Sequence, residues 1–213
     1  MEDLLDLRGM FMSNNDNTDF RTLEYYAREA PVYVASGPGG VCRHLHLFLE
    51  RVPPEGSILE LGCGGGLDSE EMLKLGFKIT PTDGVPEVAR KAEQRLGIPV
   101  RVMRFDELNA PMKFDAVWAH AALLHVPRAS LPGVLERIHK SLKPGGHHFA
   151  SFKSGGIEAR DNHGRYFNHV SRKQLLDAYA LSGRWEVLNV NEYTSGGYEN
   201  GQGPWIAITV RKT

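Results

Sequence analysis

The sequence predicts an α/β protein built on a mostly parallel, doubly wound sheet with helices on both faces. Short apolar runs alternate with segments of helical periodicity from Ser57 to Phe152. Parallel neighbours need a crossover, which a helix between consecutive strands supplies. The chain has 213 residues, of which 41% are hydrophobic and 24% charged, and these values suit one globular domain with a sizeable core.

The N-terminal part is predicted to be a helical cover preceded by an arm. Residues 1–19 contain the polar run 13–17 and are expected to form a mobile arm ahead of a single domain spanning 20–213. Within 20–50 apolar residues recur at helical spacing, and the glycines around Pro38 divide this cover into two helices.

The next third of the chain alternates between strands and helices. Strands are predicted at 57–61, 77–82 and 100–103, and helices at 67–75 and 86–96. Gly76 after the first helix and Pro86 at the start of the second are typical stop and start signals.

The remaining part is predicted to complete the sheet. Strands at 115–119 and 148–152 flank an amphipathic helix at 131–142, and Ser171 is the expected N-cap of a helix that reaches Ala180. The two last strands, 185–193 and 205–210, are joined by a glycine-containing loop at 194–204. No helix separates these two strands, which predicts an antiparallel pair at the edge of the sheet.

Charge and cysteine content narrow the function classes. The net charge is -1, which argues against a nucleic-acid partner but leaves room for a local basic face. The chain has 2 cysteines, an acidic start and no apolar run near the roughly 18 residues that a membrane span requires. We therefore expect a cytoplasmic protein with no membrane partner, as a monomer or homodimer.

The first chemical signal is the glycine-rich loop after the first strand. In an open α/β sheet, glycines at the carboxyl end of a strand let a ligand lie against bare backbone. Leu67 stands where a dinucleotide fingerprint needs its third glycine, and no Gly-Lys-Ser/Thr follows. Glu60 would repel a pyrophosphate but suits an ammonium group, so the loop predicts a zwitterionic ligand.

The second signal is Asp83, which closes the second predicted strand. An acidic residue about 20 positions beyond the glycines is placed to accept both ribose hydroxyls of an adenosine. The alternatives are a turn residue before Gly84 for Asp83 and a helix-capping carboxylate for Glu60.

These motifs resemble those of class I S-adenosylmethionine-dependent methyltransferases. The similarity covers, in order, Glu60–Gly66, Asp83, Phe105–Asp106, Phe114–His120 and Leu142–Gly146. It implies a seven-stranded sheet with an antiparallel last strand, and S-adenosylmethionine as cofactor. The cofactor residues expected from the motifs and the resemblance are Tyr33, Glu60, Gly62, Cys63, Gly64, Gly66, Asp83, Gly84, Phe105, Asp106, Ala119 and His120.

The acceptor side is expected on the loops after the fourth and fifth strands. His120 and His125 are candidate catalytic bases, with helix packing as the alternative, and Arg160 and Tyr166 are candidate substrate-binding residues in a polar loop. No metal site is predicted, because the histidine pairs lack a nearby set of cysteines or carboxylates.

The leading functional hypothesis is methyl transfer to a small-molecule acceptor. One alternative is a tRNA nucleoside acceptor, since Gly164–Phe167 before a serine-capped helix resembles wobble-uridine methyltransferases. Another is a non-catalytic regulatory protein that binds the cofactor, because a fold alone does not establish an activity.

Overall fold

The computed structural model describes residues 18–37, 40–198 and 200–213. Residues 1–17 of the predicted arm lie outside the described residues. The helices are α1 (Phe20–Ser36), α2 (Leu45–Leu49), α3 (Leu67–Lys74), α4 (Pro86–Leu96), α5 (Leu131–Ser141) and α6 (Arg172–Ser182). The strands are β1 (Ser57–Leu61), β2 (Lys78–Asp83), β3 (Arg101–Val102), β4 (Phe114–Ala119), β5 (Leu142–Lys153), β6 (Glu158–Arg160), β7 (Tyr166–Asn168), β8 (Trp185–Gly197) and β9 (Asn200–Lys212).

Seven strands form one sheet in the order β3-β2-β1-β4-β5-β9-β8. The first five strands are mutually parallel, whereas β9 runs antiparallel to both of its neighbours. The predicted doubly wound sheet with an antiparallel last strand is therefore confirmed. The carboxyl ends of the five parallel strands meet at one edge of the sheet, where an open α/β fold binds its ligands.

Alternate residues of the central strands pack into two separate apolar clusters. Leu59 and Val117 belong to a cluster that includes residues of α5 and α6, while Ile58 and Trp118 join a cluster with α2 and α3. This follows from the two-residue period of a strand, and it confirms helices on both faces. None of the helices in the described part of the chain has the length and apolar character to span a bilayer.

Two segments that the sequence predicted as loops are strands. Residues 194–204 mostly extend the β8–β9 hairpin, with Thr194 opposite Pro204 and Ser195 opposite Gly203. Residues 158–168 contain the small antiparallel sheet β6–β7. In both cases backbone hydrogen bonds supply the pairing, so glycine-rich or polar composition did not indicate a strand.

β5 also begins earlier than predicted, at Leu142 instead of His148. Its pairing with β4 is irregular there, because the partner of Phe114 is Leu142 while the partner of Ala116 is His147. The expected turn at residues 143–146 is thus an irregularity of the strand, and Gly145 has a φ of 76° within it.

Candidate active site

A cleft of about 760 Å³ opens at the carboxyl ends of β1, β4 and β5. The glycine loop 62–66, α1 and the tip of the β8–β9 hairpin contribute to its walls. A smaller cavity of about 90 Å³ shares Tyr26, Tyr33 and Gly62 with the cleft and extends to Asp83 and Phe105. The two spaces together follow the edge of the sheet from β4 to β2.

The glycine loop presents bare backbone because its turns have no room for side chains. Gly62 has a φ of 69°, and a Cβ there would lie 2.7 Å from the Cβ of Ala122. At Gly64, where φ is 54°, a Cβ would lie 2.9 Å from the hydroxyl oxygen of Tyr33. Tyr33 of α1 therefore lies directly over the loop, and Gly66, with a φ of 80°, is the N-cap of α3.

Glu60 is a buried carboxyl group at the end of β1 that lines the cleft. It accepts a hydrogen bond from the hydroxyl of Ser69. Burial, together with the negative charge of Asp68, raises the pKa of Glu60 to about 8. The group is thus mostly neutral at pH 7, and an ammonium ion beside it would favour its ionised form.

Asp83 joins the end of β2 to the glycine loop. One carboxylate oxygen accepts from the backbone N–H of Gly64 at 3.0 Å and the other from that of Val85 at 2.9 Å. Burial raises the pKa of Asp83 to about 6. Each oxygen retains a second lone pair, which a ribose hydroxyl could use.

His120, just after β4, is paired with Asp68. The distance between His120 Nδ1 and Asp68 Oδ2 is 3.3 Å, and Asp68 also accepts from Trp118 Nε1 and the Cys42 backbone N–H, both at 2.8 Å. Burial opposes a positive charge, but the Asp68 contact raises the pKa of His120 to about 10. At neutral pH His120 is therefore a hydrogen-bond donor and a poor proton acceptor.

His120, Asp68 and Cys42 also resemble a set of metal ligands in their spacing. One potential ligand atom from each lies within 4.8 Å of the others. His120 and Asp68 already satisfy each other as an ion pair, so the cluster needs no metal ion for its charge balance. The absence of a metal site stays a prediction from the sequence.

His125 is held by two hydrogen bonds in a defined tautomer. Its Nδ1 lies 2.7 Å from the carbonyl oxygen of Tyr166 and its Nε2 lies 3.2 Å from the hydroxyl of Tyr26. Because a carbonyl can only accept, Nδ1 carries the proton and Nε2 accepts from Tyr26. Burial lowers the pKa of His125 to about 4, with the Arg165 charge acting in the same direction, so the ring is neutral.

Some of the other expected cofactor residues line the cleft or the smaller cavity, and two of them line neither. Phe105 and Gly84 line the smaller cavity, and Cys63 lines the cleft as a thiol whose pKa burial raises. Ala119 is fully buried at the end of β4. Asp106 instead lines a separate hollow beside α5, where its carboxylate accepts from Arg104 Nε at 3.1 Å.

Arg160 and Tyr166 do not line the cleft, which corrects their expected location. The antiparallel pairing of β6 with β7 directs them to the outer side, where Arg160 donates to Asp19 at 3.1 Å and to the carbonyl of Gly164 at 2.8 Å. The hydroxyl of Tyr166 donates to Glu158. With these partners, neither residue is part of our proposal for acceptor binding.

Three arginine and lysine residues line the cleft instead, namely Arg43, Lys153 and Arg165. Arg165 is 1% exposed and bonds Asp161 at 2.8 Å, while Lys153 ends β5. The position of Lys153 at the carboxyl end of a parallel strand could have revealed it. Arg165 belongs to the polar loop that the sequence indicated, but its place in the cleft depends on the unpredicted β6–β7 pairing.

The sheet order, the glycine loop after β1 and the acidic end of β2 define a Rossmann-like methyltransferase fold. Residues 58–146 match the family described as "Methyltransferase domain". Over this segment, which is less than half of the chain, the sequence is similar to methyltransferases.

Curated methyltransferases match part of the chain in sequence. The chain is 37% identical over 109 residues to a ubiquinone biosynthesis O-methyltransferase of Xanthomonas axonopodis pv. citri (strain 306). The aligned segment covers 47% of this chain and 45% of that protein. The chain thus spans about half the length of the curated relatives it matches.

Two solved structures share the fold at low sequence identity. A 1,6-didemethyltoxoflavin-N1-methyltransferase of Burkholderia thailandensis, with bound 1,6-didemethyltoxoflavin and S-adenosylhomocysteine, has a TM-score of 0.72 at 21% identity and covers 91% of this chain and 87% of its own. A SAM-dependent methyltransferase of Methanosarcina mazei has a TM-score of 0.71 at 18% identity and covers 81% and 98%.

Proposed function

We propose that this protein transfers the methyl group of S-adenosylmethionine to a small-molecule acceptor. The observation that carries the proposal is the succession of Glu60, the bare glycine loop and Asp83 along one edge of the sheet. The family match supports it, and so do relatives named as an O-methyltransferase and an N1-methyltransferase of small molecules. A cytoplasmic location and a monomeric or homodimeric state belong to the same proposal.

The residues present fit the cofactor from end to end. Glu60 would hold the ammonium of the methionine part, and the backbone at 62–66 would lie against it. Asp83 would accept the ribose hydroxyls, while Phe105 would contact the adenine by its ring face. When bound, S-adenosylmethionine supplies a methyl group that is already activated by its sulfonium, so the protein mainly has to align the acceptor.

In this proposal the two histidines have different roles. His120, kept cationic by Asp68, donates a hydrogen bond that orients a ligand in the cleft. His125 accepts from the Tyr26 hydroxyl, which itself lines the cleft. Because burial lowers the pKa of His125 to about 4, the ring is a weak base, and its role in this proposal is to hold the Tyr26 hydroxyl in a fixed orientation.

The test is binding followed by turnover with the purified protein. Calorimetry should show binding of S-adenosylhomocysteine and no comparable binding of NADH, because Leu67 replaces the third fingerprint glycine. Equal affinity for NADH would contradict the cofactor assignment. If S-adenosylhomocysteine binds but the protein consumes no S-adenosylmethionine with any acceptor of a small-molecule panel, a cofactor-binding regulatory protein becomes the better explanation.

A further inference from the structure

The cleft has aromatic walls beyond the residues assigned to the cofactor. Tyr193 and Trp205, from the two strands of the hairpin, have nearly parallel rings at an interplanar angle of 21° and a centroid distance of 6.5 Å. Phe167 of β7 and Tyr198 at the hairpin tip also line the cleft. Flat, rigid rings of this kind favour a planar, conjugated molecule, because offset stacking and edge contacts need extended π faces.

Charge in this part of the cleft is positive and comes from Lys153 and from the more exposed Arg43, whose guanidinium carbon lies 5.2 Å from the ring centroid of Tyr193. The guanidinium of Arg165 is neutralised by Asp161 at 2.8 Å. Within the parts of the chain that the structure describes, no carboxylate oxygen lies within 4.0 Å of the Lys153 ammonium. Its nearest aromatic partner is Phe167, whose ring centroid lies 4.1 Å from Nζ.

The position of Lys153 on β5 places it on the acceptor side of the cleft. Ser151 has the same orientation two residues earlier, and its hydroxyl accepts from the backbone N–H of Ala121 at 2.9 Å. Ala121 directly follows His120, so Lys153 continues the face of the sheet that supports the loop after β4.

The surroundings of Lys153 make an anionic ligand favourable. Burial lowers the pKa of its amine, the charge of Arg165 acts in the same direction, and the charge of Asp161 opposes both. A partly buried ammonium that contacts an aromatic ring and, among the described residues, has no carboxylate within 4.0 Å has lost hydration that its protein neighbours replace only in part. An anion bound against Phe167 and Lys153 would restore that lost interaction.

We propose that the methyl acceptor is a planar, conjugated acid whose anionic group is held by Lys153 against the ring of Phe167. This inference rests on the proposed function, since it assigns the acceptor class of the same cleft. It makes Lys153 a specificity-determining residue, and it leaves the cofactor contacts to Glu60 and Asp83.

The experiment compares two probes that differ in charge but hardly in shape. Titrations of 4-hydroxybenzoate and 4-hydroxybenzamide into protein saturated with S-adenosylhomocysteine should show about ten-fold tighter binding of the carboxylate, as expected for a hydrogen bond to a charged group. In Lys153→Met the preference should disappear, and Lys153→Arg should keep most of it. Lys113→Met is the matched control, because Lys113 lies over Phe114 at 5.4 Å and does not line the cleft.

The two proposals fail in different ways in this experiment. If the unmodified protein does not bind S-adenosylhomocysteine, the proposed function itself is contradicted. Three results would overturn the anionic acceptor if S-adenosylhomocysteine binds normally. They are equal affinity for the two probes, no binding of either probe, and an unchanged preference in Lys153→Met. The affinity of each variant for S-adenosylhomocysteine shows whether its cleft is intact.

Discussion

At the scale of a single residue, we expect Glu60 to couple ligand binding to the release of a proton. Burial and Asp68 raise its pKa to about 8, so at pH 7 the folded protein mostly contains the neutral acid. A ligand ammonium at this position favours the carboxylate, and binding therefore releases a proton to solvent. At low pH Glu60 holds this proton more strongly, so the ligand should bind more weakly there and its affinity should rise with pH.

The affinity for S-adenosylhomocysteine should rise between pH 6 and pH 8 by up to about ten-fold per pH unit. Above a pH of about 8 Glu60 is already ionised before the ligand binds, so binding releases no proton and the gain should end. Calorimetry over this range, repeated in buffers of different ionisation enthalpy, measures both the affinity and the released proton. Glu60→Gln should bind more weakly with a flatter profile, and a profile unchanged in that variant would remove Glu60 from the ammonium site.

Asp83 provides a second test at the residue scale. Asp83→Ala should weaken binding of S-adenosylhomocysteine by about 1.5–3 kcal/mol, because hydrogen bonds to a charged acceptor are lost. The exposed Asp177→Ala on α6 is the control for a lost carboxylate and should bind normally. Calorimetry that finds the same affinity in Asp83→Ala as in the control would show that Asp83 only supports the loop through Gly64 and Val85.

At the scale of elements, the sequence predicted structure well wherever side chains carry the pattern. The helix at Pro86–Leu96 and the strand at Ser57–Leu61 have the predicted bounds, and Ser171 caps α6 as expected, with Gln174 completing the capping box. The β8–β9 hairpin was underestimated because backbone bonds hold its glycine-rich end. The periodicity of apolar residues indicates which side chains are buried. It could not indicate the end of this hairpin, because backbone hydrogen bonds between the strands stabilise it.

The glycine loop gives a prediction for an element. Gly62→Ala should lower the free energy of unfolding by about 2–4 kcal/mol, since it combines a positive φ with a close approach to Ala122. Gly76→Ala is matched in backbone strain, with a φ of 87°, but an added Cβ meets nothing within 4 Å there. Urea unfolding should place Gly62→Ala at least about 1 kcal/mol below Gly76→Ala. Equal losses would mean that backbone strain alone explains the cost at Gly62.

At the scale of the whole molecule, the part of the candidate site that we propose for the cofactor could be located from the sequence, and the part that we propose for the acceptor could not. Glu60, the glycine loop and Asp83 lie on β1 and β2 or immediately after, so local sequence indicated them. Arg165 contacts Tyr26 and Tyr198, which are 139 and 33 positions away in the chain. Such contacts depend on how α1, the small sheet and the hairpin tip meet, and no local pattern encodes that.

Arg165 is the residue through which these three parts are joined. Its guanidinium bonds Asp161 at 2.8 Å, the Tyr26 hydroxyl at 3.4 Å and the Tyr198 carbonyl at 3.2 Å. It also lies over the ring of Tyr25 at 4.7 Å. Removing a buried cation leaves its carboxylate partner without compensation, and this costs more than breaking an exposed pair.

Arg165→Met should therefore lower the free energy of unfolding by about 3 kcal/mol, whereas Arg160→Met, which breaks the exposed pair with Asp19, should lower it by about 1 kcal/mol or less. Hydrogen exchange should show faster exchange in α1 and at the hairpin tip for Arg165→Met, because both lose a common anchor. Arg165→Lys restores the charge but only part of the fork of donors, so it should recover the stability incompletely. If Arg165→Met and Arg160→Met lose equal stability, with exchange in α1 unchanged, then the aromatic packing alone joins these elements and the cleft walls do not depend on the buried guanidinium.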